Sequence, residues 1–281
     1  MELKAVRFEV DDTGVAIVWL HRPQRSNAWT GRMHAEYRWV MAELDDNPVV
    51  RVAVVTGTGR AFCVGGDSDA LAGHAERGSY DSGLPEAPAN PGYASRLAWR
   101  HDMTWHFGLR FPVIAAVNGA AAGVGLALTM FCDLRFAATT AKLTTAAPKL
   151  GLPAEYGMSW MLPRLVGATR ANDLLLSGRT VTAVEIADWG LFNAVLPMDD
   201  LMPHVLAYAR NLAVHVSPAA VTATKRQIYD DLTSHNVGRS IETSLTLLNT
   251  MMGGPEYREG VAALRDKRLP TFRLQLDGGA S

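Results

Sequence analysis

Two stretches of the chain carry residues suited to chemistry done by the main chain: RAFCVGGDSDAL, from Arg60 to Leu71, and AAVNGAAAGVGLALTMFCD, from Ala115 to Asp133. Each takes an apolar run into a glycine-rich turn and then toward a helical segment. Val52 to Val55 precede the first turn and Val113 to Val117 the second, and both runs read as buried strands. Glycine lets a backbone approach a ligand closely and adopt φ values that a Cβ resists. An outward N–H from each turn would grip one oxyanion. Turns without a ligand are the alternative reading, and the duplication favours the first.

Other glycine signatures fail at identifiable letters. Gly123 and Gly125 begin a dinucleotide fingerprint, but Leu128 stands where the third glycine belongs. No glycine is followed by Lys and then Ser or Thr at phosphate-loop spacing, and Tyr156 to Met161 around Ser159 do not form Gly-x-Ser-x-Gly. Nucleotide cofactors and an elbow serine lose most of their weight.

The elements that must hold these turns alternate in type. Val15 to Leu20 reads as a strand, Gly31 to Leu44 as a helix and Val50 to Thr56 as a strand, an α/β pattern. From Ala72 to Leu97 a Gly, Pro, Ser and Asn-rich stretch exceeds an ordinary connection and reads as a lid or as disorder. The pattern then predicts a helix over Trp99 to Leu109, a strand from Pro112, a helix over Val124 to Phe131 and a strand over Asp133 to Ala138. Beyond about Pro203 only helices follow, starting near Met202, Ser217, Gly238 and Pro255, with Ser217 and Pro218 as an N-cap and N1 pair. Leu245, Leu248, Met251 and Met252 recur at helical spacing and face either a partner or the chain's own core.

The 281 residues, 48% hydrophobic and 20% charged, suffice for a sizeable core. A net charge of −1 argues against broad nucleic-acid binding, and the basic cluster from Arg265 to Arg268 is interrupted by Asp266. Cys63 and Cys132 lie in apolar runs without CxxC or Cys/His spacing, so they read as packing residues rather than zinc ligands or a disulfide. The N-terminal MELKAVRFEVDD lacks an apolar signal region, and no run reaches the ~18 apolar residues of a membrane span. A cytoplasmic protein without membrane or nucleic-acid partners is the expectation.

Six motifs, in order, resemble the crotonases, the enoyl-CoA hydratase and isomerase superfamily: LHRPQRSNAW from Leu20, VVTGTGRAFCVGGD from Val54, PVIAAVNGAAAGVGLAL from Pro112, AEYGMSWMLPRLVG from Ala154, SGRTVTAVEIADWGLFNAV from Ser177 and LRDKRLPTF from Leu264. The resemblance implies a spiral of ββα units over residues 1–200 holding an acyl-CoA site, and a C-terminal helical region over 201–281 that makes a homotrimer or a hexamer. It implies an acyl-CoA thioester as substrate, with no cofactor beyond that coenzyme A and no metal. It places two oxyanion-binding amides at Gly66 and Val124, where Val124 replaces the family's usual glycine and raises the question of φ and pocket width. It assigns coenzyme A to the segments holding Arg25, Ser26, Ala28, Val64, Gly65, Asp67 and Ser68, with Arg25 and Lys267 as candidate phosphate partners. Solvated surface charge is the alternative for those two, and helix capping is the favoured reading of Asp67 and Asp69 themselves.

The family's hydratases use two glutamates to place and deprotonate water, and this chain has Ala127 and Ala147 at those positions. General acid–base help is worth about 10²–10⁴-fold, so hydration of the usual kind loses its machinery. Glu155 falls where dienoyl-CoA isomerases, hydroxyisobutyryl-CoA hydrolases and chlorobenzoyl-CoA dehalogenases carry an aspartate. Isomerase or hydrolase chemistry at Glu155 is therefore favoured, and an acyl-CoA-binding protein without turnover is the alternative. His101 and His106 are weaker candidates, since a lone helical histidine is usually structural or exposed.

Overall fold

A computed structural model describes residues 1–77, 89–92, 96–234 and 236–272. β1 (Val6–Val10) and β2 (Val15–Leu20) form an antiparallel pair with Val6 opposite Leu20. α1 (Gly31–Asp46) follows, capped by the Thr30 hydroxyl, which accepts from the Met33 amide. From there the chain alternates between two sheets. β3 (Val52–Gly57) and β4 (Ala61–Cys63) lead to α2 (Ser68–Arg77); β5 (Val113–Val117) and β6 (Ala120–Ala122) lead to α3 (Val124–Phe131). β7 (Leu134–Ala138) and β8 (Lys142–Thr144) lead to α4 (Met158–Val166) and α5 (Ala168–Ser177), and β9 (Val181–Thr182) and β10 (Ala194–Leu196) finish the sheets. The strand orders are β1-β2-β3-β5-β7-β10 and β4-β6-β8-β9. Each ββα unit thus adds one strand to each sheet, parallel to its predecessor from β2 to β10 in the first and from β4 to β8 in the second.

Period-two alternation explains the two cores. Val52 and Val54 of β3, with Ile114 and Ala116 of β5 and Phe136 and Ala138 of β7, face α6 (Met198–His215). That helix answers with Leu201, Val205, Ala209 and Ala213, one every fourth residue. Ala53, Val55, Ala115, Val117 and Ala137 point the other way, into the larger core. Strands buried on both faces are the reason for their continuous apolar runs. Residue 200, where the sequence reading divides the chain, lies inside α6.

α7 (Pro218–Leu232) starts as expected, the Ser217 hydroxyl accepting from the Ala220 amide. It is anchored to the spiral by Lys225, whose Nζ donates to Asp133 Oδ2 (2.7 Å) and the Phe111 carbonyl (2.8 Å), and by Tyr229, whose hydroxyl donates to Asp133 Oδ1 (2.8 Å). α8 (Val237–Met251) contains no buried residue, and Leu245 and Leu248 are each 55% exposed, so these side chains do not pack into the chain's own core. α9 (Pro255–Asp266) is the last helix among the described residues.

Three expectations are corrected or bounded. The helix over Trp99 to Leu109 is instead two 3-10 turns, Leu97–Trp99 and Thr104–Gly108, with Met103 at φ 68° between them. Residues 105–109 are all buried, which an amphipathic helix with one wet face cannot provide. α6 begins at Met198, ahead of the expected Met202, because Asp199 and Asp200 suit its first turn and the helix runs on through Pro203. The lid segment from Ala72 to Leu97 falls largely outside the described residues, α2 occupying its start. Cys63 and Cys132 are fully buried, and burial pushes both thiols up to about 12. Among the described residues no helix is long and apolar enough to cross a membrane. Truncating Leu201→Ala leaves a void between α6 and the sheet and is expected to cost about 2–5 kcal/mol, read by denaturant unfolding.

Candidate active site

β4, β6 and β8 lie side by side, so the turns that follow them share one edge of the second sheet. Cys63 is paired with Ala121 and Ala122 with Thr144. The first turn is Val64 to Asp67, the second centres on Gly123, and the third runs from Thr144 to Ala147. Their backbones touch: a Cβ built on Gly123 would lie 3.9 Å from the Gly65 Cα, and one on Gly65 would lie 3.2 Å from the Ala122 carbonyl oxygen. The Gly123 amide donates to the Thr144 carbonyl (3.1 Å), fastening the second turn to the third. Gly125 cannot be replaced without displacing β4, since its Cβ would sit 2.2 Å from the Cys63 carbonyl oxygen.

Main-chain pairing explains which amides are left over. The Trp29 amide donates to the Gly65 carbonyl (2.7 Å) and the Asp67 amide to the Trp29 carbonyl (2.9 Å), a parallel bridge that flanks Gly66. Gly66's own N–H therefore points away from Trp29 and has no partner among the described residues. Val124 is the first residue of α3, whose first four amides have no intrahelical acceptor by construction, and its N–H is likewise unpartnered among the described residues. The left-handed demand falls on Gly123 (φ 49°) rather than on Val124, so the question posed by valine's φ is answered: it sits in ordinary helical geometry. Two amides without a partner among the described residues thus sit on adjacent turns, one of them at a helix N-terminus.

The segment from Arg22 to Trp29 buttresses this pair. Ser26 (φ 48°) and Asn27 (φ 57°) are both left-handed, and buried Asn27 makes the turn possible: its Nδ2 donates to the Thr58 and Ala61 carbonyls and its Oδ1 accepts from the Arg22 amide. Arg22 Nη1 donates to the Ala28 carbonyl (2.6 Å) and to Asp67 Oδ2 (2.9 Å). Burial pushes the Asp67 carboxyl up, but hydrogen bonds from Arg22, the Asp69 amide and Arg25 outweigh it and hold it below the usual carboxylate range. Asp67 Oδ1 accepts from the Asp69 amide (3.1 Å), so Asp67 caps α2 as well. Asn118 joins the neighbouring turns, accepting from the Gly57 amide and donating to the Gly57 and Gly59 carbonyls. Sequence reading missed Arg22, Asn27 and Asn118, because a positioning side chain has no motif of its own; the signal was a polar letter beside glycine or a turn in an apolar run.

The remaining expected residues divide. Arg25, Ser26, Ala28, Val64, Gly65, Asp67 and Ser68 are brought together around the first turn. Arg25 is already engaged, its Nη2 donating to Asp69 Oδ2 (2.9 Å), Ser68 Oγ (3.3 Å) and Asp67 Oδ1 (3.4 Å). Lys267 lies exposed at the C-cap of α9, with no hydrogen bond or ion pair to that group. Ala127 and Ala147 are buried methyl groups at the second and third turns. Glu155 belongs to the loop leaving the third turn, tethered where the Leu152 amide donates to the Ala147 carbonyl (3.0 Å). Two left-handed residues, Tyr156 (φ 50°) and Gly157 (φ 71°), follow it, the second packed on the Phe131 ring of α3. Its carboxylate makes no hydrogen bond or ion pair among the described residues, and burial pushes it above its ordinary value. His106 is a structural residue, the role favoured for it over proton transfer: its Nδ1–H donates to the Met103 carbonyl (2.7 Å), Nε2 accepts from the Tyr37 hydroxyl (2.9 Å), and burial holds its pKa down to about 3, so it stays neutral. His101 is exposed.

The family model for enoyl-CoA hydratase/isomerase matches residues 11–275. A probable enoyl-CoA hydratase of Mycobacterium tuberculosis is 33% identical over 271 residues, covering 93% of this chain and 95% of the relative. The 1,2-epoxyphenylacetyl-CoA isomerase of Escherichia coli is 31% identical over 262 residues, covering 93% and 95%. The crystal structure of a probable enoyl-CoA hydratase/isomerase from Mycobacterium abscessus superposes with a TM-score of 0.82 at 31% identity, over 96% of this chain and 99% of that one.

Asp67 generates a pH prediction. Its folded pKa lies below its unfolded value near ~3.9, so its stabilisation is complete above that value and is lost as pH falls through the folded one. Asp67→Asn is expected to cost about 1–2 kcal/mol at neutral pH, at the low end because Arg25 is half-exposed. The gap between the two proteins in chemical denaturation should close as pH drops below about 4.

Proposed function

The chain belongs to the enoyl-CoA hydratase/isomerase family, and from that premise we propose that it isomerises or hydrolyses an acyl-CoA thioester at Glu155 instead of hydrating it with two glutamates. One set of observations carries the reading: the Gly66 and Val124 amides have no partner among the described residues, the neighbouring Ala127 and Ala147 are buried methyl groups, and Glu155, in the loop after the third turn, is a carboxyl with no hydrogen bond or ion pair among the described residues. The E. coli relative's name, an isomerase, supports it.

In this reading the thioester oxygen accepts from the Gly66 and Val124 amides. Loss of a proton from carbon places negative charge on that oxygen, where each donor is worth about 2.7–4 kcal/mol to the transition state. Isomerisation needs a single group that takes a proton from one carbon and returns it to another, and a desolvated carboxyl has the raised pKa that suits both halves. Hydrolysis needs Glu155 as base for one water or as nucleophile at the thioester carbon. The thioester carbonyl is itself the electron sink, so coenzyme A is the only cofactor required.

The coenzyme lies along the first turn, against Ser26, Ala28, Val64, Gly65, Asp67 and Ser68, with Arg25 turning from Asp69 to its phosphates and Lys267 as a second phosphate partner. The exposed apolar face of α8 makes the homotrimer, alone or paired as a hexamer, in the cytoplasm. A binding protein without turnover is the second reading, favoured by Ala127 and Ala147.

Enoyl-, 3-hydroxyacyl- and aryl-CoA thioesters, assayed with the protein and with Glu155→Gln, test the proposal. Isomerase or hydrolase turnover should fall about 10²–10⁴-fold in the variant with thioester binding retained. As a base, Glu155 must be ionised, so kcat/KM should decline as pH falls through a midpoint above the ~4.3 of an ordinary glutamate, and the variant should lack that limb. Turnover indifferent to the substitution removes Glu155 from the mechanism, and binding without turnover across the panel establishes the second reading.

A further inference from the structure

The Gly66 amide takes its direction from a very short piece of pairing. The parallel bridge between Trp29 and Gly66 consists of the Trp29 N–H to Gly65 carbonyl bond (2.7 Å) and the Asp67 N–H to Trp29 carbonyl bond (2.9 Å). Among the described residues no strand extends it on either side. Two consecutive glycines, Gly65 at φ 100° and Gly66 itself, leave this backbone easy to turn. A donor that must meet one oxygen needs its direction held by something stiffer.

Arg22 supplies a brace across the bridge. Its Nη1 donates to the carbonyl of Ala28, one residue before Trp29, and to Oδ2 of Asp67, one residue after Gly66, at 2.6 and 2.9 Å. One nitrogen thus joins the two paired segments. Arg22 is itself fixed: its amide donates to Asn27 Oδ1 (2.8 Å), and its carbonyl accepts from the Arg25 and Asn27 amides (both 2.9 Å). The ion pair lies in a sheltered place, the Asp67 side chain being 6% exposed and that of Arg22 21%. Arg25 reaches the same carboxylate at 3.4 Å from a more exposed position and shares its Nη2 with Ser68 and Asp69. Arg22 is therefore the stronger link.

Resting on the reading of Gly66 as a donor to the thioester oxygen, we propose that Arg22 is a positioning residue for the reaction: its guanidinium, spanning the Ala28 carbonyl and the Asp67 carboxylate, fixes the register of the Trp29–Gly66 bridge and with it the direction of the Gly66 N–H. Arg22 touches no reacting atom in this account. Its effect falls on the transition state, where a displaced donor loses most, and little on the binding of the rest of the thioester.

Two variants break the brace from opposite ends. Arg22→Met removes the donor, and Asp67→Ser removes the acceptor while leaving a hydroxyl able to cap α2. On a thioester that the unmodified protein turns over, each should lower kcat per folded site by about 10–100-fold with KM changed less than about threefold. With crotonyl-CoA carrying ¹³C at its carbonyl, each should move the bound C=O stretch back toward its frequency in water. Unchanged kcat and C=O frequency with only a lower Tm would make Arg22 merely structural and overturn the proposal. Faster turnover in Asp67→Ser also overturns it, because Arg22 would then act by cancelling a charge. Should Arg22→Met not fold, Asp67→Ser decides. A C=O stretch that is not lowered in the unmodified protein removes the Gly66 reading and this inference with it; a lowered stretch indifferent to both variants removes this inference alone.

Discussion

Parallel pairing of β4, β6 and β8 is the constraint on which the site depends. Strands that run the same way end at the same edge, and in a ββα repeat each end is followed by a turn that leads onward to a helix. Three such turns therefore line up without any long-range design beyond the repeat. Close approach is then a matter of glycine: Gly65 and Gly123 carry the positive φ values and Gly125 removes the atom that would collide with Cys63. The free amides at Gly66 and Val124 are by-products of that geometry. One is the residue skipped by a parallel bridge, and the other is a helix's first orphan donor.

Around these turns a polar frame takes the strain. Ser26, Asn27 and Tyr156 hold left-handed backbone without being glycine, and such positions persist where their surroundings fix them. Asn27 does so with three hydrogen bonds from one amide side chain, and Asp67 does so as helix cap and ion-pair acceptor together. The acidic machinery next to this frame is a different matter. Ala127 and Ala147 are buried methyl groups at the second and third turns, and Glu155 stands in the loop that follows the third.

Much of this was legible in the letters because it depends on short-range rules. β3 and β5 are apolar runs, α3 was bounded correctly from Val124 to Phe131, and the Ser217 cap was visible as a serine before proline. The alignment of Gly66 with Val124 came with the motifs. The misses have physical causes. Residues 99–109 carry helix-like composition, but Trp105, His106 and Phe107 are each claimed by a different neighbour, and tertiary burial overrides local periodicity. The short β4, β6 and β8 have three residues apiece, too few for a period to show. His106 is only a weak candidate in the sequence, and its hydrogen bonds to Met103 and Tyr37 make it structural. Arg25, a candidate phosphate partner by resemblance, is paired in the structure with Asp67 and Asp69, which no local pattern announces.

The proposed polarisation of a thioester carbonyl by two main-chain amides is read directly by vibrational spectroscopy. Infrared difference spectra of a carbonyl-labelled acyl-CoA thioester, free and bound to the protein, isolate the one C=O stretch that the donors would touch. Two hydrogen bonds from Gly66 and Val124 weaken the double bond, and the account predicts a shift to lower frequency on binding, beyond the value in water. A bound thioester whose carbonyl stretches at or above its frequency in water would contradict it.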